Sequence, residues 1–175
     1  MSFLNAKELL IDVSQLDLTR VTADLEEIRR YNPQRFEAEQ LTAIVYEDKK
    51  ELLCVGYKDV TDHEFWVRGH MPGMPLMPGV IICEAAAQMC SYFTLKYDLL
   101  GCQVVGLGGL EEVRFRDPVR PGDRLVLACK QLRVRRGAMI VCRFQGFVNG
   151  VMVADGKIKG IPLPIDALVA EQKKS

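Results

Sequence analysis

Apolar and polar positions change rhythm twice along this chain. Residues 22–31, TADLEEIRRY, set acids early and bases late around apolar positions. That order suits a helix dipole and predicts a short helix, which NPQRF then ends. Residues 41–47, LTAIVYE, and 52–59, LLCVGYKD, read as strands joined by the charged turn DKK. A loop rich in Pro and Gly follows at 69–79. From Val80 to Tyr97 there is neither Gly nor Pro, and the apolar positions, among them Ile82, Ala86, Met89, Tyr92 and Phe93, fall on all sides of a helical wheel. A helix apolar all round is predicted to be buried on every face. Downstream the rhythm is that of strands, at 110–116, 124–134, 138–148 and 151–161, with tight turns expected at RRG (135–137) and NG (149–150). The reading is an α+β fold in which a long buried central helix is wrapped by an antiparallel β-sheet of about five or six strands. Residues 1–23 read as an N-terminal extension, 24–165 as a single domain and 166–175 as a polar, frayed tail.

Composition narrows the function classes. The 175 residues are enough for one domain with a core of its own. Lys+Arg and Asp+Glu balance at 23 each, so global charge calls for neither nucleic acid nor a membrane surface. No apolar run approaches the ~20 residues of a spanning helix. The opening MSFLNAKELLIDVSQLDLTR interrupts its apolar residues with charges, unlike a secretory signal or a transit peptide. Six cysteines without a Cys-x-x-Cys pair, several inside apolar segments, read as buried free thiols of a reducing cytoplasm.

The candidate chemistry lies in residues 69–88, GHMPGMPLMPGVIICEAAAQ. Pro72, Pro75 and Pro78 restrict the backbone around His70, leaving its ring little freedom to lose. The loop ends at Pro78-Gly79 and opens into the helix, whose first amides are unpaired and suit an oxygen that gains negative charge. Gly79, without a side chain, lets a ligand approach its amide. Glu84 sits about one turn further, on a helix expected to have no exposed face. A carboxyl in that setting is either paired or kept protonated, and a protonated carboxyl is what a general acid requires. The plainer reading is an acid that favours the helix dipole or pairs with an arginine. Taken together, a base, an acid and an oxyanion site suit removal of a proton α to a carbonyl and loss of a β-hydroxyl as water.

This stretch resembles the signature of the hot-dog-fold 3-hydroxyacyl-(acyl carrier protein) dehydratases of type II fatty acid synthesis. Their pattern, Gly-His-aromatic-Pro-Gly-x-Pro-x-Met-Pro-Gly-Val and then Glu-Ala-x-Ala-Gln, is met at Gly69, His70, Pro72, Gly73, Pro75, Met77, Pro78, Gly79, Val80, Glu84, Ala85, Ala87 and Gln88. Residues 109–125, GLEEVRFRDPVRPGDRL, resemble the family's second stretch, with Phe115, Arg116, Pro118, Val119, Pro121, Gly122 and Asp123 in place. The likeness covers about residues 24–161. It departs at Met71, where the family has an aromatic residue, at EAEQLTAI in place of a Pro-Phe-x-x-Val-Asp-Arg-like strand, and in the additional residues 1–20.

The resemblance implies dehydration of (3R)-3-hydroxyacyl thioesters to trans-2-enoyl thioesters. His70 is then the base for the C2 proton, Glu84 positions or protonates the leaving hydroxyl, and the Gly79 amide holds the thioester oxygen. Val80, Met71 and Met77 are implied substrate-binding positions. The implied partner is acyl carrier protein bearing the phosphopantetheine-linked substrate. The implied assembly is a homodimer in which the histidine of one subunit faces the glutamate of the other, in some members a trimer of dimers. No metal or organic cofactor is implied.

Competing readings attach to several of these residues. Met71, Met74 and Met77 have a spacing that suits Cu(I) thioether binding, but prolines in the spacers favour the lining of an acyl tunnel. The basic stretch 114–136 reads first as solvated strand faces and turns, and alternatively as a dock for an acidic carrier protein. His63 reads as exposed and Trp66 as a core or interface residue. Two other functions fit the same fold, an acyl thioesterase and a non-catalytic acyl-thioester or acyl-carrier binding module.

Overall fold

An 18-residue helix, α2 (Gly79–Lys96), lies along the inner face of a six-stranded antiparallel sheet in this computed structural model, which describes residues 9–166 and 169. Before it come α1 (Leu25–Arg29), β1 (Ala43–Asp48) and β2 (Leu53–Asp59); after it come β3 (Val105–Phe115), β4 (Arg124–Arg135), β5 (Met139–Val148) and β6 (Val151–Pro162). The strands run in the order β1-β2-β4-β5-β6-β3, which leaves β1 and β3 at the edges.

The expected elements are present, with shifted ends. Asp24 caps α1 by accepting a hydrogen bond from the Glu27 amide at 2.9 Å. The helix is shorter than its sequence pattern because the amides of Thr22 and Ala23 pair with the Ile44 carbonyl of β1 instead. At the β5–β6 turn, Asn149 and Gly150 both have positive φ, +50° and +77°, as a tight hairpin turn requires. β3 starts five residues earlier than predicted. Gly106 and Gly109 remain in the ladder with β6 while Gly108 falls at a bulge, and the space a Cβ would occupy at Gly106 is filled by the Leu163 side chain.

Strand alternation divides the sheet into two apolar faces. Leu125, Leu127 and Cys129 of β4 and Phe144 of β5 turn inward onto Met89, Tyr92 and Phe93 of α2. Each such buried side chain contributes about 1.5–3 kcal/mol. The helix approaches β2 at Gly56, where an added Cβ would fall 2.5 Å from the Ala43 carbonyl oxygen and 3.0 Å from Cε of Met89. On the outer face, Val126, Ala128 and Phe147 pack under residues from the N-terminal stretch, including Leu10, Val13 and Leu16.

One expectation is corrected. α2 is not closed on every side: Val80 is 69% exposed, and Ile81, Glu84 and Ala87 are half-buried. The sheet curls around most of the helix but leaves this stripe of its first turns uncovered. All six cysteines are free thiols, five of them buried, and desolvation pushes the Cys54 thiol well up. Among the described residues, no helix is long and apolar enough to cross a membrane. Apart from Asp166 and Val169, the expected polar tail lies outside the described residues.

Candidate active site

The loop that carries His70 is held by more than its prolines. At its start, Lys58 and Glu64 form a largely buried ion pair at 3.0 Å. Trp66 is sunk in the core, and its carbonyl accepts the His70 amide at 2.8 Å. The Leu76 amide returns to the His70 carbonyl at 2.8 Å, and the Met77 amide bonds to the Val119 carbonyl at 2.8 Å. Gly73, at φ +75°, turns the chain between Met71 and Met74, whose backbones bond reciprocally.

The imidazole itself is exposed, and its Nδ1 lies 2.8 Å from the Leu76 carbonyl oxygen. A carbonyl only accepts, so this contact assigns the proton to Nδ1 and leaves a lone pair on Nε2. The ring borders an open cleft whose walls are Leu76–Val80 and the segment Phe115–Val119. Gly79 is there, but its side-chain position is covered. A Cβ at Gly79 would fall 2.6–2.9 Å from the Phe115 ring, so the glycine is needed to seat that ring against the helix start.

Glu84 faces a different cleft, of about 90 Å³, between α2 and the β3, β5 and β6 side of the sheet. It is half-buried, and the carboxylate accepts from Nε2 of Gln88 at 2.7 Å. Gln88, one helical turn on, also donates to the Ala38 carbonyl at 2.6 Å and accepts the Gln40 amide at 2.9 Å. The Asn32 side chain donates to the Gln88 carbonyl at 2.8 Å. The segment 32–40 is itself tied down by Arg29 and Glu39, 2.6 Å apart, and the guanidinium holds the Glu39 carboxyl below its ordinary range. The expectation that Glu84 is solvent-starved is thus corrected. In the single chain it is oriented by an amide and partly open to solvent, because the first turns of α2 lack a covering strand.

Within one chain, then, His70 and Glu84 line separate clefts. β3 links them: Val105–Leu107, at one end, borders the Glu84 cleft, and Phe115, at the other, borders the His70 cleft. β3 is an edge strand, and Leu107, Leu110 and Phe115 on it are exposed.

The remaining candidates separate clearly. Met77 is buried while Met71 and Met74 stand exposed, so the three thioethers do not converge on one face. Arg116 pairs with Asp155, Arg124 with Asp59, Lys130 with Glu51 and Arg136 with Asp98, which makes much of the basic stretch a set of surface ion pairs. Trp66 is a core residue and His63 is exposed. Sequence reasoning missed the network of Gln88, Gln40 and Ala38. Its one signal was a glutamine four residues after the glutamate, the spacing at which helix neighbours meet.

Residues 32–157 match the model of the FabA-like domain family. The chain is 39% identical over 137 residues to the 3-hydroxyacyl-(acyl-carrier-protein) dehydratase FabZ of Syntrophobacter fumaroxidans, which covers 77% of this chain and 90% of that protein. It is 35% identical over 139 residues to the dehydratase of the same name from Alkalilimnicola ehrlichii, covering 78% and 88%. Among solved structures, the dehydratase heterocomplex ApeI:P from Xenorhabdus doucetiae superposes with a TM-score of 0.67 at 14% identity, over 82% of this chain and 95% of that one, which speaks for the hot-dog fold alone. A central helix in an antiparallel wrap, a histidine loop running into that helix and a match across most of the chain agree: this protein belongs to the FabA-like family and is a homologue of the FabZ dehydratases.

Proposed function

We propose that the protein is a hydro-lyase that converts (3R)-3-hydroxyacyl thioesters carried on acyl carrier protein to trans-2-enoyl thioesters. The observation that carries this reading is the hydrogen bond between His70 Nδ1 and the Leu76 carbonyl, which leaves Nε2 free as a base. Nε2 takes the C2 proton, the C2–H electron pair forms the C2=C3 bond, and the C3–O bond breaks. Glu84, oriented by Gln88, positions the hydroxyl and supplies the proton with which it departs as water. The imidazolium then returns its proton to the carboxylate. The Gly79 amide at the helix start stabilises the thioester oxygen as it gains charge, and Val80, Met71 and Met77 flank the acyl chain.

Because the two groups occupy separate clefts in one chain, the working site is one shared between two copies. Antiparallel pairing of two β3 edges about a two-fold axis sets the Phe115 end of one strand against the Val105–Leu107 end of the other. That pairing brings His70 of one subunit toward Glu84 of its mate and yields two sites per dimer. Five buried free thiols fit a reducing cytoplasm.

The test is incubation with 3-hydroxyacyl-carrier substrates of graded chain length, read by mass spectrometry for loss of water. Enoyl product supports the reading, and free carrier thiol without enoyl product points to a thioesterase instead. Binding without turnover by the intact dimer points to an acyl-carrier binding module.

A further inference from the structure

The outer face of a sheet that wraps a helix is ordinarily turned to water and therefore polar. Here it is divided. Toward its β3 end it is charged, with Glu112 paired to Lys157 and Arg116 paired to Asp155. Across β1, β2, β4, β5 and β6 it is apolar, and the side chains Val45, Val55, Tyr57, Val126, Phe147 and Met152 are all buried. The segment 9–18 packs against this cluster through Leu9, Leu10, Ile11, Val13, Leu16 and Leu18, with Tyr46 beside it and the Arg124 guanidinium stacked on the Tyr57 ring at 3.9 Å.

This contact is a built one. The Leu10 amide donates to Oε1 of Gln145 at 2.8 Å, and Gln145, on the outer side of β5, is 1% exposed. Two short turns bend the segment to the sheet: Asp12 accepts from the Ser14 amide at 3.0 Å, and Asp17 accepts from the Thr19 amide at 2.9 Å. Beyond them the Thr22 amide bonds to the Ile44 carbonyl at 2.8 Å and ties the segment into the edge of β1. The register of the strands and that of the N-terminal segment thus encode the same surface. Val126 and Ala128 are apolar outward only where Leu10 and its neighbours cover them, and β4 turns polar beyond that cover, at Lys130, Arg133 and Arg135.

We infer that residues 9–18 are a strap that occupies the sheet's outer face in place of a second copy of the chain. Left bare, that face is a contiguous apolar patch spanning five strands, and such faces pack on one another about 10 Å apart. With the strap in place, the outer face is closed to self-association, while the exposed β3 edge stays open for assembly. The inference stands apart from the dehydration reading, since the strap touches neither His70 nor Glu84.

Two measurements on the 175-residue chain decide it. In the wild-type protein, hydrogen exchange at the Leu10 amide is slowed like that of the adjoining strands; exchange at the rate of an unstructured peptide overturns the inference. In the L10D/L16D variant the strap lifts, and sedimentation gives a concentration-dependent rise of about twofold over the wild-type mass, with new binding of an apolar dye. A synthetic peptide of residues 1–18 added in trans reverses both. Wild-type mass and dye binding in a folded variant overturn the inference. A variant that fails to fold, by circular dichroism, leaves the decision to the exchange measurement. Turnover per chain is followed in parallel, so failure of the strap and failure of the dehydratase reading give different results.

Discussion

The Leu76 carbonyl oxygen stands 2.8 Å from Nδ1 of His70, and the same two residues are joined again through the Leu76 amide and the His70 carbonyl. This double clasp within six residues determines both the direction and the tautomer of the ring. His70→Ala is therefore expected to lower dehydration kcat by at least ~100-fold while leaving the thermal midpoint near wild type, since the ring is exposed. Steady-state turnover alongside thermal denaturation checks it. Turnover within a few-fold of wild type rules His70 out as the base.

Gln88 connects Glu84 to the segment 32–40, and its amide is committed at both ends. Gln88→Leu leaves the Gln40 amide and the Ala38 carbonyl without their partner, at a cost of about 1–3 kcal/mol in denaturant unfolding. It also frees the carboxylate to rotate, so kcat should fall while KM changes little. A KM effect alone would mean that Gln88 shapes the binding cleft rather than orienting Glu84.

Gly79→Ala sets a methyl within 2.6–2.9 Å of the Phe115 ring. The ring, half-exposed at the end of β3, has to swing aside, with an expected loss of up to about 1 kcal/mol. Adding Phe115→Ala should recover part of that loss, and a double-mutant cycle by urea unfolding measures the coupling. Strict additivity would show that Phe115 is not what requires a glycine here.

The pH response of the segment beside Glu84 follows from Glu39. Its folded carboxyl titrates below the unfolded value of 4.5, chiefly through hydrogen bonding to Arg29. The contribution of this pair to stability is thus fully present above pH 4.5 and is lost as pH falls through the lower, folded pKa. Wild-type stability should decline over that acid window, and Glu39→Gln should decline less steeply. Parallel acid curves for the two proteins would assign the decline to other carboxylates.

Lys58 and Glu64 pair at 3.0 Å beneath the loop that leads to Trp66 and His70. Removing one partner strands a buried charge, so Glu64→Ala should cost about 3–5 kcal/mol. Because the His70 amide hangs on the Trp66 carbonyl, turnover should fall as well. Thermal unfolding and kcat measured together test the link.

The strands, the long helix and the turns were legible because their signals are local. The apolar run Leu125–Cys129, the Asn149-Gly150 pair and an 18-residue stretch free of Gly and Pro each constrain nearby backbone without reference to the rest of the fold. The histidine loop was legible for the same reason, since its prolines and glycines sit beside the residue they hold. What only the tertiary structure decided depends on partners distant in sequence. A helical wheel cannot tell which stripe of an apolar helix the sheet leaves uncovered, so the opening beside Val80 and Glu84 was not foreseen. The amide that steadies Glu84 is in turn held from Ala38 and Gln40, nearly fifty residues away. The cover over Gly79 is a ring from the end of β3, and the cover over the outer sheet is a segment 135 residues from the glutamine it binds. Periodicity along the chain determined which faces are apolar; the folded topology decided what lies against each of them.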